Sequence, residues 1–495
     1  MAAGRRFLAG LSWSLVALSR SESFEFSLEK YGCGVCREVR DGQGCELYGA
    51  CAAINTSSAA GGCEAFCPST PAASSAHHQA VGPDVRVTKG FGTKAYNQVR
   101  ITVISGSDDP PVKGFFDHSA AFRNAWTSKY LHTAMKATTP GKEVKFDVGA
   151  EIDVRIPAQG AGTAGVLIAD PCMSGGSVIG WVGCRYGNKY QTSKRTVELL
   201  NTFVPDPSTD YWGILGDNFY DRTGDISTDV YSRISLETKS KIFITVPGNH
   251  DYWVFGLTHL STPLDQCAQG FMQFYAQDAK AAEGIGPGVS GSPFNFTKDA
   301  ATEQLGSRCV MPALSNMFWY NQIGNVGIVG QSGAHTLEES LPLMKEACVW
   351  LSRQPGLQLA VLVGHWDAEG KGAAPHMDMP DWYEKMATLP GCKEFQERRA
   401  LKYVMGHTHC NNPHPRGDVG AGFRVAAFGM EGCGNYGMPI LDTTESRVRF
   451  WYFDTSSDEK YAAVIKCVRA KGWRGCPDLA TLWLDEPLKA EEVLV

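Results

Sequence analysis

From Gly165 onward the chain alternates between short, wholly apolar runs and longer stretches in which apolar residues recur every three or four positions. The apolar runs are "GVLIAD", "YWGIL", "KIFITVP", "NVGIVG", "LQLAVLVG" and "LKYVMG"; "SKRTVELLNTF", with Val197, Leu200 and Phe203 on one side, has the helical period. A run that is apolar at every position has no face to offer water, so it belongs to a strand covered on both sides, and intervening amphipathic helices are the covering that such a sheet uses. The pattern predicts an α/β domain over residues 161–456. Upstream, "VRVTKG", "QVRITVIS" and "KEVKFDVGAEIDVRIP" alternate in period two with turn residues between them, which predicts a small β-rich domain over 83–160. Residues 457–495 read as an appended tail in which Cys467 and Cys476 are close enough to pair. No internal repeat is visible.

Length and charge narrow the classes. A chain of 495 residues is too long for one ordinary small domain and can bury a large core. Lys plus Arg number 46 against 52 Asp plus Glu, a formal charge of −6 without a long run of either sign. Nothing in that balance marks a nucleic-acid-binding surface, so any phosphate chemistry must come from a local site. Residues 1–22 set Arg5 and Arg6 before an apolar run, Phe7 to Leu18, followed by small polar residues. This is the layout of a signal peptide, and the run is too short to span a bilayer comfortably. The expectation is a secreted or lumenal protein (extracellular, vacuolar or lysosome-like) with no stable membrane insertion after cleavage; a membrane anchor is the alternative.

Cysteine usage fits the same compartment. The chain has 16 cysteines, and Cys33, Cys36, Cys45, Cys51, Cys63 and Cys67 fall in a Gly/Ala/Ser-rich segment, 23–72, with few large apolar residues. Disulfides are expected there in place of a core. Half a zinc site or a redox dithiol at Cys33-Gly-Val-Cys36 is the alternative, but no second pair at zinc-finger spacing follows. Asn55 and Asn295 begin glycosylation sequons, and "CPSTPAASSAHHQAVGP" reads as a linker. The stretch "KYLHTAMKATTPGKEVKFDVG", in which a Pro-Gly turn joins two strands, is similar to the end of a fibronectin-like sandwich.

The chemistry is concentrated where the apolar runs stop. "GVLIA" delivers Asp170, "YWGIL" leads into Gly216-Asp217, "KIFITVP" into Gly248-Asn249-His250-Asp251, "LQLAVLV" into Gly364-His365, and "LKYVM" into Gly406-His407-Thr408-His409. In α/β sheets the carboxyl ends of the strands face one crevice, which is where ligands bind. A lone Gly-Asp or His-x-His carries little information; four such strand ends in order carry much more. The order "GD…GNHD…GH…GHTH" resembles the calcineurin-like metallophosphoesterases over roughly Gly165 to Asp454. The form "GDNFY", with Tyr220 three residues after Asp217, is most like the purple acid phosphatases, where the tyrosine binds Fe(III).

The resemblance implies a four-layer α/β/β/α sandwich and two metal ions, Fe(III) with Fe, Zn or Mn. One ion would take Asp170, Asp217, Tyr220 and His409, and the other Asp217, Asn249, His365 and His407. Two hard cations about 3.5 Å apart need a shared anion, which Asp217 can supply. His250 would hold a phosphate oxygen or protonate the leaving alkoxide, with Asp251 orienting it; a structural pair is the alternative. The first motif departs from the family: Ala169 stands in place of a glycine, Pro-Cys follows, and Cys172 occupies the place where many relatives have histidine. Cys172 is expected to pair with Cys184, or otherwise to act as a soft ligand. "MFWYNQIGNVGIVG" resembles the aromatic-rich hairpin beside the family's metal centre, with packing as its expected role. His259, His335 and His414 are pocket candidates only. The implied activity is that of an acid phosphatase acting on small phosphoesters through a metal-activated hydroxide. A phosphodiesterase of acid-sphingomyelinase type and a non-catalytic binding protein on the same scaffold are the alternatives. The oligomeric state is not legible.

Overall fold

The computed structural model describes residues 82–89, 95–121, 129–173, 191–220, 225–252, 317–333, 337–367, 378–414, 420–427 and 435–488, with a few isolated residues and short strands besides. The signal segment, the linker, Asn55, Asn295, His259, His335 and Cys184 lie outside the described residues. So do Cys33, Cys51, Cys63 and Cys67; of that segment only a hairpin, Cys36–Glu38 with Cys45–Leu47, is described.

Two sheets carry the fold. The first has ten strands: β1 (Asp84–Thr88), β2 (Gln98–Ser105), β3 (His118–Ala121), β4 (Tyr130–Ala137), β7 (Ala164–Ile168), β8 (Tyr211–Leu215), β9 (Ile242–Val246), β16 (Gly437–Asp442), β17 (Arg447–Asp454) and β18 (Ala480–Pro487), in the order β18-β17-β16-β7-β8-β9-β1-β2-β4-β3. The second has six: β10 (Trp319–Ile323), β11 (Val326–Gly330), β12 (Leu359–Gly364), β13 (Leu401–Met405), β14 (Asn412–Pro413) and β15 (Gly422–Arg424), in the order β10-β11-β12-β13-β15-β14. A separate hairpin pairs β5 (Glu143–Asp147) with β6 (Glu151–Arg155). The helices are α1 (Thr192–Phe203), α2 (Asp225–Arg233), α3 (Leu236–Ser240), α4 (Leu337–Leu351), α5 (Met379–Ala387), α6 (Lys393–Glu397) and α7 (Asp458–Lys471).

The every-position apolarity of the strands is used on both faces. Along β7, Leu167 joins the core that contains Ile328, Leu362, Val404 and Met344 of the second sheet and α4. Val166 and Ile168 face the other way, into a core with Leu199, Leu200 and Phe203 of α1 and Val464 and Val468 of α7. Each such buried side chain stabilises the fold by about 1.5–3 kcal/mol relative to exposure. The layers are therefore helix, sheet, sheet, helix, the four-layer arrangement expected from the sequence. Strands β7, β8, β9 and β1 are mutually parallel, as are β11, β12, β13 and β15. Parallel neighbours need crossover connections, and α1, α4 and α5 supply helices to them.

Two boundaries expected from the sequence dissolve. The strands of 83–160 do not close into a domain of their own: β1 pairs in parallel with β9, so β1 to β4 extend the ten-stranded sheet. Alternation in period two could not show this, because it records which residues are buried and not what buries them. Residues 457–495 are likewise no appendage. Helix α7 buries Val464, Ile465 and Val468, Trp473 is fully enclosed, and β18 is the edge strand of the sheet, paired with β17. Cys467 and Cys476 are bonded, as expected, and Cys348–Cys392 and Cys410–Cys433 are two further disulfides.

Candidate metal centre

Because the parallel strands share a direction, their carboxyl ends share an edge, and five of the seven predicted ligands leave that edge within three residues of a strand, with Tyr220 and His409 a little further along the same loops. Asp170 follows β7, Asp217 follows β8, Asn249 follows β9, His365 follows β12 and His407 follows β13. All are buried. The chain turns sharply at these points: Asp170, Asp217, Tyr220, His407 and His409 have φ of 52°, 50°, 54°, 71° and 56°. Left-handed backbone at a non-glycine residue costs about 1–2 kcal/mol, and such strain concentrates at functional sites. Here it aims side chains from three loops at one point.

Two groups of contacts result. In the first, the Tyr220 hydroxyl lies 3.2 Å from Asp170 Oδ1 and 2.9 Å from His409 Nε2, and His409 Nε2 lies 3.1 Å from Asp170 Oδ1. In the second, His407 Nδ1 meets Asn249 Oδ1 at 3.1 Å, and His365 Nε2 is 3.3 Å from Asp217 Oδ1 and 3.7 Å from Asp170 Oδ1. Asp170, Asp217 and His409 each offer a ligand atom, and those atoms all lie within 4.8 Å of one another, which joins the groups. The His407 amide donates to Asp170 Oδ2 at 3.0 Å.

The donor set fits cations. His365 Nδ1 lies 2.9 Å from the Leu215 carbonyl, which can only accept, so that nitrogen carries the proton and Nε2 faces two buried carboxylates. Donation of the far nitrogen to a carbonyl is the usual arrangement for a metal-binding histidine. Burial opposes charge on His365, and Asp217 with Asp170 more than offsets it, raising its pKa to about 9. His407, desolvated and beside His365, is pushed down to about 4, and its Nε2 is buried with no hydrogen-bond partner among the described residues. Burial, Asp170 and Asp217 raise the Tyr220 phenol well above its ordinary value. A proton-free phenol beside two carboxylates requires a cation to offset the charge.

Close approach of the backbone completes the cradle. A Cβ on Gly216, which has φ +87°, would lie 2.4 Å from His365 Nδ1, and one on Gly248 would lie 2.2 Å from Asp217 Oδ1 and 2.3 Å from its amide nitrogen. Trp319, in the aromatic hairpin β10–β11, donates Nε1 to the Thr245 carbonyl at 3.1 Å, the packing role expected of it.

Asp251 is held by backbone and side-chain donors of two loops. Its Oδ2 accepts from the Gly248 amide at 2.6 Å and Asn218 Nδ2 at 2.9 Å, and its Oδ1 accepts from the Asn218 amide at 2.8 Å. It thus ties the loop carrying Asp217 to the loop carrying Asn249. Burial and the neighbouring Asp217 raise its pKa to about 7. His250 lies in the turn Asn249–Tyr252, and its side chain is outside the described set. Cys172 is disulfide-bonded, which removes it as a soft ligand. His414, a pocket candidate in the sequence, is buried among Tyr403, Arg424 and Asp367, partners that come from three other places in the chain.

The sequence of residues 167–411 matches the family model of the calcineurin-like phosphoesterases. These residues form a calcineurin-like phosphoesterase domain. Its family uses a dinuclear metal centre and hydrolyses phosphoesters. No curated protein matches the chain. Among solved structures, a purple acid phosphatase, PPD1, from yellow lupin (Lupinus luteus) seeds is similar with 13% identity and TM-score 0.46 over 76% of this chain and 72% of that one. PhoD is similar with 11% identity and TM-score 0.39, over 77% and 89%. A dimetal phosphatase from Danio rerio follows with 12% identity and TM-score 0.31, over 60% and 96%.

Proposed function

We propose that the chain is a secreted acid phosphatase that hydrolyses small phosphomonoesters at a dinuclear metal centre. The observation that carries this reading is the convergence of Asp170, Asp217, Tyr220, Asn249, His365, His407 and His409 from separate strand ends, with His365 Nε2 held between two buried carboxylates. Two cations held there would lower the pKa of water and offset charge on the phosphoryl oxygens. Asp217, whose carboxylate lies within reach of both groups, would be shared between the ions. Asp170, Tyr220 and His409 would hold a trivalent iron, and Asn249, His365 and His407 a second ion, Fe, Zn or Mn. The resemblance gives His250 the role of holding a phosphoryl oxygen or delivering the proton to the leaving alkoxide. Asp251 keeps the two acidic loops in register. The disulfides support the secreted reading, since such bonds persist in oxidising compartments. No helix among the described residues is long and apolar enough to cross a membrane.

Metal analysis of the purified protein, with assays on p-nitrophenyl phosphate and bis-p-nitrophenyl phosphate, tests the proposal. Two ions per chain and preference for the monoester are expected, and Asp217→Asn should abolish hydrolysis in a folded protein because a neutral amide cannot hold two cations together. Preference for the diester would move the assignment to a phosphodiesterase. Absence of metal would leave a binding protein on this scaffold.

A further inference from the structure

Outside the motifs that supply ligands, four polar side chains form one buried network. Arg424, at the carboxyl end of β15, donates Nε and Nη2 to Asp367 Oδ2 at 2.9 and 2.8 Å. The same Nη2 lies 3.0 Å from His414 Nε2, and His414 Nδ1 lies 2.8 Å from the Tyr403 hydroxyl. All four residues are buried. A guanidinium can only donate, so His414 Nε2 must accept; its proton is then on Nδ1, which donates to Tyr403. The network has one sense of donation along its length, with Arg424 as its source.

Its members come from the segments that carry the second sheet's ligands. Asp367 is two residues after His365, His414 lies five residues after His409, and Tyr403 is within β13, which leads into His407. The stretch between His409 and His414 is fixed as well. Cys410 is bonded to Cys433, Asn411 Nδ2 donates to the Ala426 carbonyl at 2.9 Å, and the Ala426 amide returns a bond to Asn411 Oδ1 at 2.8 Å. Ala426 is two residues after Arg424, so β15 and the loop after it form the strut against which this loop is braced.

A buried ion pair is a poor choice for stability alone, because apolar residues of equal volume commonly serve as well or better. What a planar, forked donor adds is fixed separation: it holds Asp367 and His414 at defined distances and angles, where apolar packing would tolerate sliding. We propose that Arg424 is a positioning residue which, through Asp367 and His414, sets the spacing between the loop that carries His365 and the loop that carries His407 and His409. The inference rests on the metal-centre reading given above. Arg424 touches neither metal nor substrate in this scheme; it acts through the ligands' loops.

The test uses the full chain and Arg424→Lys, which keeps the charge but cannot span both acceptors. Arg474→Lys is the control. Arg474 makes a two-bonded ion pair with Asp442, whose strand pairs Asp442 with Ala164 at the amino end of β7, the edge opposite the ligands. Both variants should lower Tm. Only Arg424→Lys should lose metal to a competing chelator at about 10-fold lower chelator concentration or less, and it should lower kcat by a similar factor with KM nearly unchanged. Wild-type metal retention and kcat in Arg424→Lys would overturn the inference and leave the network a structural ion pair. Equal metal loss in both variants would overturn it too, since the effect would then follow stability. A wild-type chain that takes up no metal would overturn the metal-centre reading and this inference together, whereas the first two outcomes leave that reading intact.

Discussion

Gly248→Ala is the sharpest test of how the centre is built. The added methyl would lie 2.2 Å from Asp217 Oδ1 and 2.3 Å from the Asp217 amide nitrogen, while ordinary contact begins at about 3.4 Å. Gly248 is itself anchored by its amide bond to Asp251, so the strain falls on Asp217, which must retreat by about 1 Å. Overpacking of this kind costs about 1–3 kcal/mol, and a misplacement of about 1 Å in a reacting constellation costs about 10²-fold in rate. The assay is kcat on p-nitrophenyl phosphate beside metal content and Tm. Gly472→Ala is the comparison: its methyl would lie 2.7 Å from Asp206 Oδ2 at a glycine with φ +70°, away from the metal edge. That variant should lose stability and keep kcat. A Gly248→Ala protein with wild-type kcat and both metals would refute the argument that the glycine is there to let the backbone approach Asp217.

Two further outcomes are expected. If Tyr220 is a phenolate on Fe(III), the wild type should absorb in the visible; Tyr220→Phe should remove the band and weaken metal retention while leaving Tm nearly unchanged, because the ring's packing survives. A colourless wild type with a fully active Tyr220→Phe variant would reduce the reading to that of the broader family. The second outcome concerns acid stability at Asp442: burial pushes its carboxyl up, but the Arg474 hydrogen bonds and charge, with bonds from Thr444, more than offset this and hold it below its ordinary value. A depressed carboxyl contributes stability above its unfolded pKa of about 3.9, and loses it as pH falls through the folded value. Wild-type Tm should therefore fall more steeply below about pH 4 than that of Asp442→Asn, and equal slopes in thermal melts against pH would refute the assignment.

The sequence by itself determined the strands and where the candidate ligands leave them, for a local reason. Wholly apolar runs such as Val166 to Ile168 are strands with two covered faces wherever they are placed, and a strand that ends in Gly-Asp or Gly-His puts that side chain at the sheet edge whatever lies beside it. Asp170 was readable in the same way even though its flanking residues depart from the family pattern. The tertiary structure alone decided partnership. Alternation in "QVRITVIS" records one buried face without naming its cover, so only the pairing of β1 with β9 could show that these strands lengthen the catalytic sheet. Trp473 and β18 look like a tail until the sheet's edge is seen. Asp251 stands next to His250 in sequence, yet its bonds run to Asn218, 33 residues away. Arg424, Asp367, His414 and Tyr403 form no pattern along the chain at all, because hydrogen bonds between side chains depend on distance in space, and a sequence preserves order but not distance.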